Sequence, residues 1–341
     1  MPGRSPQNQK PLAVIRRRAL ASLVAAQALW PAALRAQPAE PARIGLLSFG
    51  SAPGGANPDP SSGFIEGLLE LGYVEGRSLV IEARYADGQP QRLAALAGEL
   101  ARLNLAVIVA GGPASVHAAR VATSTVPIVA IGVVDPVGQG WAQSLAHPGG
   151  NLTGLTVTFP ELGPKLLEVL KEARPGLVRI AVLRSTAELG PHDASPVLLS
   201  GARALGLELQ WLDVAEAADI EPALERAAQG RAQGLYAPAT NLIVAQRRRI
   251  AELAQRARLP AISEFPLMAQ AGFVLSYGTD LGALARRGAS FVDKIVKGAR
   301  PGDLPIELPS KFELVANVGA ARAIGLTLPA STLRRADRVI G

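Results

Sequence analysis

From Ala42 onward, short apolar segments rich in Val, Ile and Leu alternate with longer stretches that have helical spacing. This alternation is typical of βαβ units and predicts parallel sheets. Most of the predicted strands are apolar on both faces, so we expect helices to cover both sides of each sheet. The predicted strands are Ile44–Leu47, Leu79–Ala83, Leu105–Ala110, Ile128–Val133, Arg179–Leu183, Leu207–Leu212, Gly234–Ala237, Pro260–Ser263 and Phe273–Tyr277.

The stretches between the strands carry their apolar residues on one side. This spacing predicts amphipathic helices that cover the sheets. Two such stripes are formed by Leu93, Leu96, Leu100 and Leu103, and by Leu281, Leu284, Gly288, Val292 and Ile295.

A segment rich in Gly and Pro, Pro148–Gly154, separates the first four predicted strands from the five that follow. Each half can form one sheet, and two such lobes joined by flexible crossings make a clamshell. We therefore predict an α/β protein with two doubly wound parallel-sheet lobes and a ligand crevice at the carboxyl ends of the strands. Because glycine permits unusual backbone angles, we expect hinge residues at Gly150, Asn151 and Gly154, and at Gly278 in a second crossing.

The composition excludes several kinds of chemistry. A chain of 341 residues with 48% hydrophobic residues can bury two cores, and it contains no Cys. The missing Cys excludes disulfides, Cys-ligated zinc, iron–sulfur clusters and thiol catalysis, and it removes the lipid attachment point of a bacterial lipoprotein. The histidines, His117, His147 and His192, are too scattered for a His-rich metal site. We expect no bound metal.

The net charge of +7 arises almost entirely from the first 36 residues, which hold six basic residues and no acid. Without them, 29 basic and 28 acidic residues remain, a net charge of +1. No basic surface for a phosphate backbone is indicated, so we expect no nucleic-acid partner.

The first 36 residues have the layout of a secretory signal peptide. Basic Arg16–Arg18 is followed by an apolar stretch, Ala19–Leu34, and by small Ala36 before Gln37. We expect cleavage near Ala36 and a soluble mature product in the periplasm; an uncleaved anchor is the alternative. The arginine run is compatible with general secretory export and with twin-arginine export.

Motifs of common enzymes are absent. The chain has no phosphate-binding Gly-x-x-x-x-Gly-Lys-Ser/Thr loop and no Gly-x-Gly-x-x-Gly after the first strand. Gly45–Gly50 resembles a nucleophile elbow, but two residues, rather than one, separate Gly45 from Ser48. We therefore expect neither catalytic residues nor a cofactor. A hydrolase that uses Ser48 or a carboxylate is the enzymatic alternative.

Several loops follow predicted strands, where a crevice-binding protein needs polar groups. Pro113 can begin a helix whose exposed N–H groups suit a carboxylate. Asp135 could face an ammonium or hydroxyl group, although it could equally cap a turn. Thr240 and Asn241 are good N-caps, and Glu264 follows another strand.

Seven segments resemble the ABC-transporter substrate-binding family that includes tryptophan- and tyrosine-type binding proteins. Together they span nearly all of the chain after the signal peptide. The segments are Asp135–Val137, Pro148–Gly154, Ser276–Gly278, Phe291–Pro305, Lys311–Asn317, Ala323–Pro329 and Arg335–Ile340.

The resemblance implies a type I periplasmic-binding fold in which two lobes, connected by three crossings, close on a small solute and hand it to a membrane permease. The N-lobe would hold residues 42–153 and 280–309, and the C-lobe residues 154–279 and 310–341. The solute would be amino-acid-like or a carboxylate, and the protein a monomer. The implied ligand-binding residues are Ser48, Gly112, Pro113, Ala114, Asp135, Asn241, Glu264 and Tyr277. A periplasmic module that reports to a membrane sensor is the alternative function.

Overall fold

The structure is a computed structural model that describes Gly3 and residues 41–53, 62–157, 162–186 and 196–341. The predicted signal peptide, apart from Gly3, and His192 lie outside the described residues. In the described part of the chain, no helix is both long enough and apolar enough to cross a membrane.

The first sheet is five-stranded and wholly parallel, with strand order β2-β1-β3-β4-β5. Its central strands are almost entirely buried, as their continuous apolar runs predict. The strands are β1 (Ala42–Ser48), β2 (Leu79–Tyr85), β3 (Val107–Gly111), β4 (Ile128–Val133) and β5 (Leu152–Thr156).

The second sheet is seven-stranded, with order β12-β11-β10-β9-β8-β6-β7. All neighbours are parallel except β10 and β11. The series β7-β6-β8-β9-β10 repeats the 2-1-3-4-5 order of the first sheet, which is a common doubly wound order. The strands are β6 (Arg179–Ser185), β7 (Glu208–Val214), β8 (Gly234–Tyr236), β9 (Ala261–Ser263), β10 (Leu275–Gly278), β11 (Glu313–Asn317) and β12 (Arg338–Ile340).

Helices cover both faces of each sheet. In β3, Val107 and Val109 join one apolar cluster, whereas Ile108 and Ala110 join another, because successive side chains point to opposite faces. The helices are α1 (Ser62–Glu70), α2 (Leu93–Ala101), α3 (Gly112–Ala122), α4 (Leu162–Ala173), α5 (Pro196–Ala204), α6 (Ile220–Gln229), α7 (Asn241–Ala245), α8 (Arg247–Arg256), α9 (Pro266–Gln270), α10 (Leu281–Val296), α11 (Val318–Ala323) and α12 (Ala330–Arg335). Short 3₁₀ turns occur at Pro90–Arg92, Ala217–Asp219 and Pro301–Asp303.

The chain crosses between the lobes three times. The first crossing follows Thr156, and the second runs from Gly278 at the end of β10 to Leu281 at the start of α10. Helix α10 then packs on α1, β3, β4 and β5 of the first lobe. Glu307 pairs with the edge of β5, since its N–H donates to Gly154 O at 2.9 Å, and the third crossing leads from there to β11 at Glu313. The predicted two-lobed α/β fold is confirmed.

The segment predicted as a hinge lies inside the first lobe. Gly154 belongs to β5, where it has φ +139° and where a side chain would overlap the Ala130 backbone. Asn151 Nδ2 donates to Val126 O at 2.8 Å. The Gly149 N–H, next to Gly150, donates to Gly302 O at 3.1 Å.

The expected lobe boundary at residues 153 and 154 therefore falls within a strand. At Gly154 the missing side chain permits close packing of neighbouring strands, which favours a packing role over the predicted hinge role. Gly278 does lie at a crossing, where its backbone packs directly against the Glu264 carbonyl group.

Candidate ligand-binding site

A cavity of about 110 Å³ lies between the two lobes at the carboxyl ends of β1, β3 and β4. It exceeds the roughly 10–15 Å³ that one water molecule needs. Strands β1 and β3 flank the point where the strand order of the first sheet reverses, and open α/β sheets bind ligands at this point. The second lobe supplies the opposite wall from the loops after β8 and β9 and from α7 and α8.

The walls of the cavity are mainly apolar. Phe49 follows β1, Phe64 lies on α1 and Phe265 follows β9, so three of the seven phenylalanines of the chain meet here. All three are buried. Apolar and aromatic walls of this kind suit a hydrophobic or aromatic ligand body.

The N-terminus of α3 faces the cavity through Gly112 and Pro113. The N-cap residue Gly111 has no side chain to accept a hydrogen bond, and the first turn contains no acidic residue. Backbone N–H groups at such a helix start have no partner within the helix, and they carry the positive end of the helix dipole. This end of the cavity therefore favours an anionic group.

Gly112 and Asn241 meet across the two lobes. Gly112 has φ +77°, and a side chain at this position would overlap Asn241 Oδ1. Thr240 is the N-cap of α7, with its Oγ1 accepting from the Ile243 N–H at 3.5 Å, so Asn241 starts the helix and lines the cavity. Glycine at position 112 permits both the backbone conformation and the approach of the lobes.

Arg247, at the start of α8, places a cation on the cavity wall. It is partly buried, and Nη1 donates to Val244 O at 2.9 Å. Within the described part of the chain, no carboxylate lies within ion-pair distance of it. Burial, with a contribution from adjacent Arg248, lowers the pKa of Arg247, but an arginine starts from a value so high that the guanidinium stays charged.

Arg247 was not predicted as a ligand residue, although the sequence pattern around it contains a signal. Arg247 precedes Ile250, Ala251 and Ala254 by three, four and seven residues, which places it on the same face of the helix. Those three residues are buried. An arginine at the start of a buried stripe is a candidate for an inward-facing cation.

Glu264 is buried behind the cavity wall. Tyr236 Oη donates to Oε1 at 2.6 Å, and the Ala239 N–H donates to Oε2 at 2.7 Å. Burial raises the pKa of Glu264 above its ordinary value, and the hydrogen bonds from Tyr236, Ala239 and Ser263 oppose part of that shift. Because Ala239 lines the cavity, Glu264 positions the loop after β8 instead of facing the cavity.

Two other predicted ligand residues make local contacts in the first lobe. Ser48 is buried, and its Oγ accepts from the Gly50 N–H at 2.9 Å. Asp135 is exposed, and its Oδ1 accepts from the Gly138 N–H at 2.9 Å, so it caps a turn. The cavity lining includes neither residue.

Ala114 and Tyr277 also lie away from the cavity. Ala114 packs against the apolar core of the first lobe. The Tyr277 ring stacks on Phe312, with 5.9 Å between ring centroids, and both rings line a separate cavity with residues of α4 and α5. Of the eight predicted ligand residues, the structure therefore brings Gly112, Pro113 and Asn241 to the cavity.

Two lobes of repeated topology, joined by three crossings around a cavity at their strand ends, define a solute-binding protein of the type I periplasmic-binding fold. The sequence profile of the family described as ABC transporter substrate binding protein matches residues 53–340. The chain belongs to this family, and the resemblance found in the sequence is confirmed. The family is one of solute-binding proteins and not of enzymes.

Individual relatives resemble this chain in sequence or in fold. The tyrosine-binding protein of Clostridioides difficile (strain R20291) is 25% identical over 264 residues, which cover 77% of this chain and 76% of that protein. A conserved domain protein from Vibrio cholerae has 27% identity and a TM-score of 0.81, with 88% of this chain and 100% of that one covered. An ABC domain from Streptococcus pneumoniae in complex with L-Trp has 24% identity and a TM-score of 0.80, with the same coverage.

Proposed function

We propose that this protein captures a small solute between its two lobes in the periplasm and delivers it, as a monomer, to the membrane permease of an ABC importer. One observation carries the proposal: the cavity at the strand ends has walls from both lobes, with Gly112 and Asn241 in contact across them. A solute held there contacts both lobes at once only when they are closed.

The mechanism needs no catalysis. A solute that binds the closed arrangement more tightly than the open one shifts the population toward closure. The permease can then distinguish loaded from empty protein by the relative position of the lobes. Relatives that bind tryptophan and tyrosine, together with the phenylalanine-lined walls, support a solute with an aromatic or similar apolar body.

The solute can be sought directly. We expect native mass spectrometry of protein purified gently from its host to reveal a co-purified small molecule. Its removal should expand the protein in small-angle X-ray scattering, and its return should compact it. Absence of any bound molecule, together with an unchanged scattering profile across a broad panel of solutes, would contradict the proposal.

Delivery to a permease requires a separate measurement. Cells that lack the gene should take up the identified solute more slowly, and a plasmid copy should restore the rate. Unchanged uptake would contradict an importer and favour a membrane sensor as the partner.

A further inference from the structure

We infer that the cavity selects an apolar organic monoanion, a carboxylate on an aromatic or branched body, and rejects the corresponding amino acid with its ammonium group. The inference rests on the proposed function and names its solute class. It is based on the charged and polar groups that line the cavity.

The first observation is a cation without a protein counterion. Arg247 lines the cavity and is partly buried. Its Nη1 donates to the Val244 carbonyl, and no carboxylate among the described residues pairs with it. A guanidinium group has five N–H donors in a planar fork that matches a carboxylate. Removing part of a charged group from water is costly unless the charge is paired, so a ligand anion is the natural partner of Arg247.

The second observation comes from the other lobe. The start of α3, a helix of 11 residues, reaches the same cavity at Gly112 and Pro113, with no side-chain cap and no acid in its first turn. Pro113 has no N–H to donate, but the positive end of the helix dipole at this start favours the same anion. Thus the first lobe presents the positive end of a helix dipole to the cavity, and the second lobe presents a guanidinium charge.

The third observation concerns ammonium recognition. Among the described residues that line the cavity, none is Asp or Glu. The nearby strand-end carboxylates are used elsewhere: Asp135 caps an exposed turn, and Glu264 is bonded to Tyr236 and Ala239 behind the wall. An ammonium group would therefore be buried beside Arg247 without a counterion.

Matched solute pairs test the inference by isothermal titration calorimetry on ligand-free protein. Each pair differs only by the ammonium group: 3-phenylpropanoate and phenylalanine, 3-(4-hydroxyphenyl)propanoate and tyrosine, indole-3-propanoate and tryptophan. We expect each carboxylate without the ammonium group to bind at least about tenfold more tightly than the amino acid of its pair. The neutral 3-phenylpropanamide should bind more weakly than 3-phenylpropanoate.

An Arg247→Gln variant tests the assigned cation. Because the variant loses charge-assisted hydrogen bonds to the ligand, it should bind the carboxylates about 10- to 100-fold more weakly. Binding of the amide should change by less than about twofold. Arg248→Gln, on the exposed neighbour in the same helix, is the matched control and should bind like the original protein. Arg247→Lys should restore part of the affinity, and the unliganded melting temperature monitors folding.

The outcomes separate this inference from the proposed function. Equal or tighter binding of the amino acids overturns the solute class but leaves a solute-binding protein. An Arg247→Gln variant that folds and binds carboxylates normally, or that loses the amide equally, overturns the role of Arg247. If no panel member binds, the solute class is also overturned, and the co-purification experiment decides the proposed function independently.

Discussion

Replacing Gly112 by alanine should weaken solute binding by obstructing closure of the lobes. Gly112 has φ +77°, and an added Cβ atom would overlap Asn241 Oδ1 of the opposite lobe. The two effects act on different equilibria. The dihedral belongs to the first lobe whether the lobes are open or closed, whereas the overlap exists only when they are closed.

The magnitudes follow from this separation. Alanine in the left-handed region costs about 1–2 kcal/mol, which lowers the free energy of unfolding but cancels between open and closed states. Overpacking costs about 1–3 kcal/mol where the Asn241 side chain is held in place, and here it falls on the closed state alone. Raising the free energy of the closed state by that amount relative to the open state weakens solute binding by about 5- to 150-fold.

Denaturant unfolding measures the loss of stability, whereas titration calorimetry with the co-purified solute and scattering with and without it measure the effect on closure. Gly76→Ala is the matched control, because Gly76 has φ +79° and open space around its Cα; it should lose stability but keep its affinity. The double variant Gly112→Ala, Asn241→Ala should recover closure, since the overlapping side chain is gone. If Gly112→Ala binds and compacts like Gly76→Ala, the reasoning is refuted.

Three further predictions concern residues outside the cavity lining. Burial raises the pKa of Glu264 in the folded protein, so the stability that its protonated form contributes should be complete below about pH 4 and lost as pH rises through the raised pKa. Glu264→Gln should therefore make the free energy of unfolding, measured with denaturant, depend less on pH. Gly154→Ala should lower the free energy of unfolding by about 2–5 kcal/mol, because the methyl group would overlap the Ala130 backbone at an unfavourable φ. The solute affinity measured by calorimetry should stay unchanged. A change in affinity without a loss of stability would favour the hinge interpretation. Tyr277→Ala should lower the melting temperature through loss of its ring contact, worth about 0.5–1.5 kcal/mol, and keep solute affinity within about twofold, whereas a large affinity loss would return Tyr277 to the binding site.

The fold could be predicted from sequence because buried parallel strands read as continuous apolar runs between amphipathic helices. All nine predicted strands are present, with ends shifted by only a few residues. Strand β5 was missed because its Leu152–Thr156 sequence follows a run of Pro, Gly and Asn that indicates a loop. Its glycine serves close packing against Ala130, which only the neighbouring strand reveals.

The site could be predicted only in part, because strand order decides which loops meet. The segments that follow β3 and β8 line the cavity, and they hold Gly112 and Asn241, which were predicted from their positions after strands. Tyr277 was predicted from its position at a strand end, but strand ends alone do not show that its ring stacks on Phe312. Glu264 was misread because a carboxylate at a strand end can face a ligand or satisfy buried donors, and only the positions of Tyr236 and Ala239 distinguish the two.

The distribution of charge links recognition to movement. Arg247 lies on the second lobe and the start of α3 on the first, so closure brings two positive groups toward the same space. Without an anion their mutual repulsion, together with loss of hydration at Arg247, opposes closure. An anion reverses the sign of both contributions, because it pairs with the guanidinium group and accepts hydrogen bonds from the helix start. On the proposed function, the charge of the solute therefore lowers the free energy of the closed state relative to the open state. A neutral isostere that fills the same apolar space should bind without closing the lobes as fully.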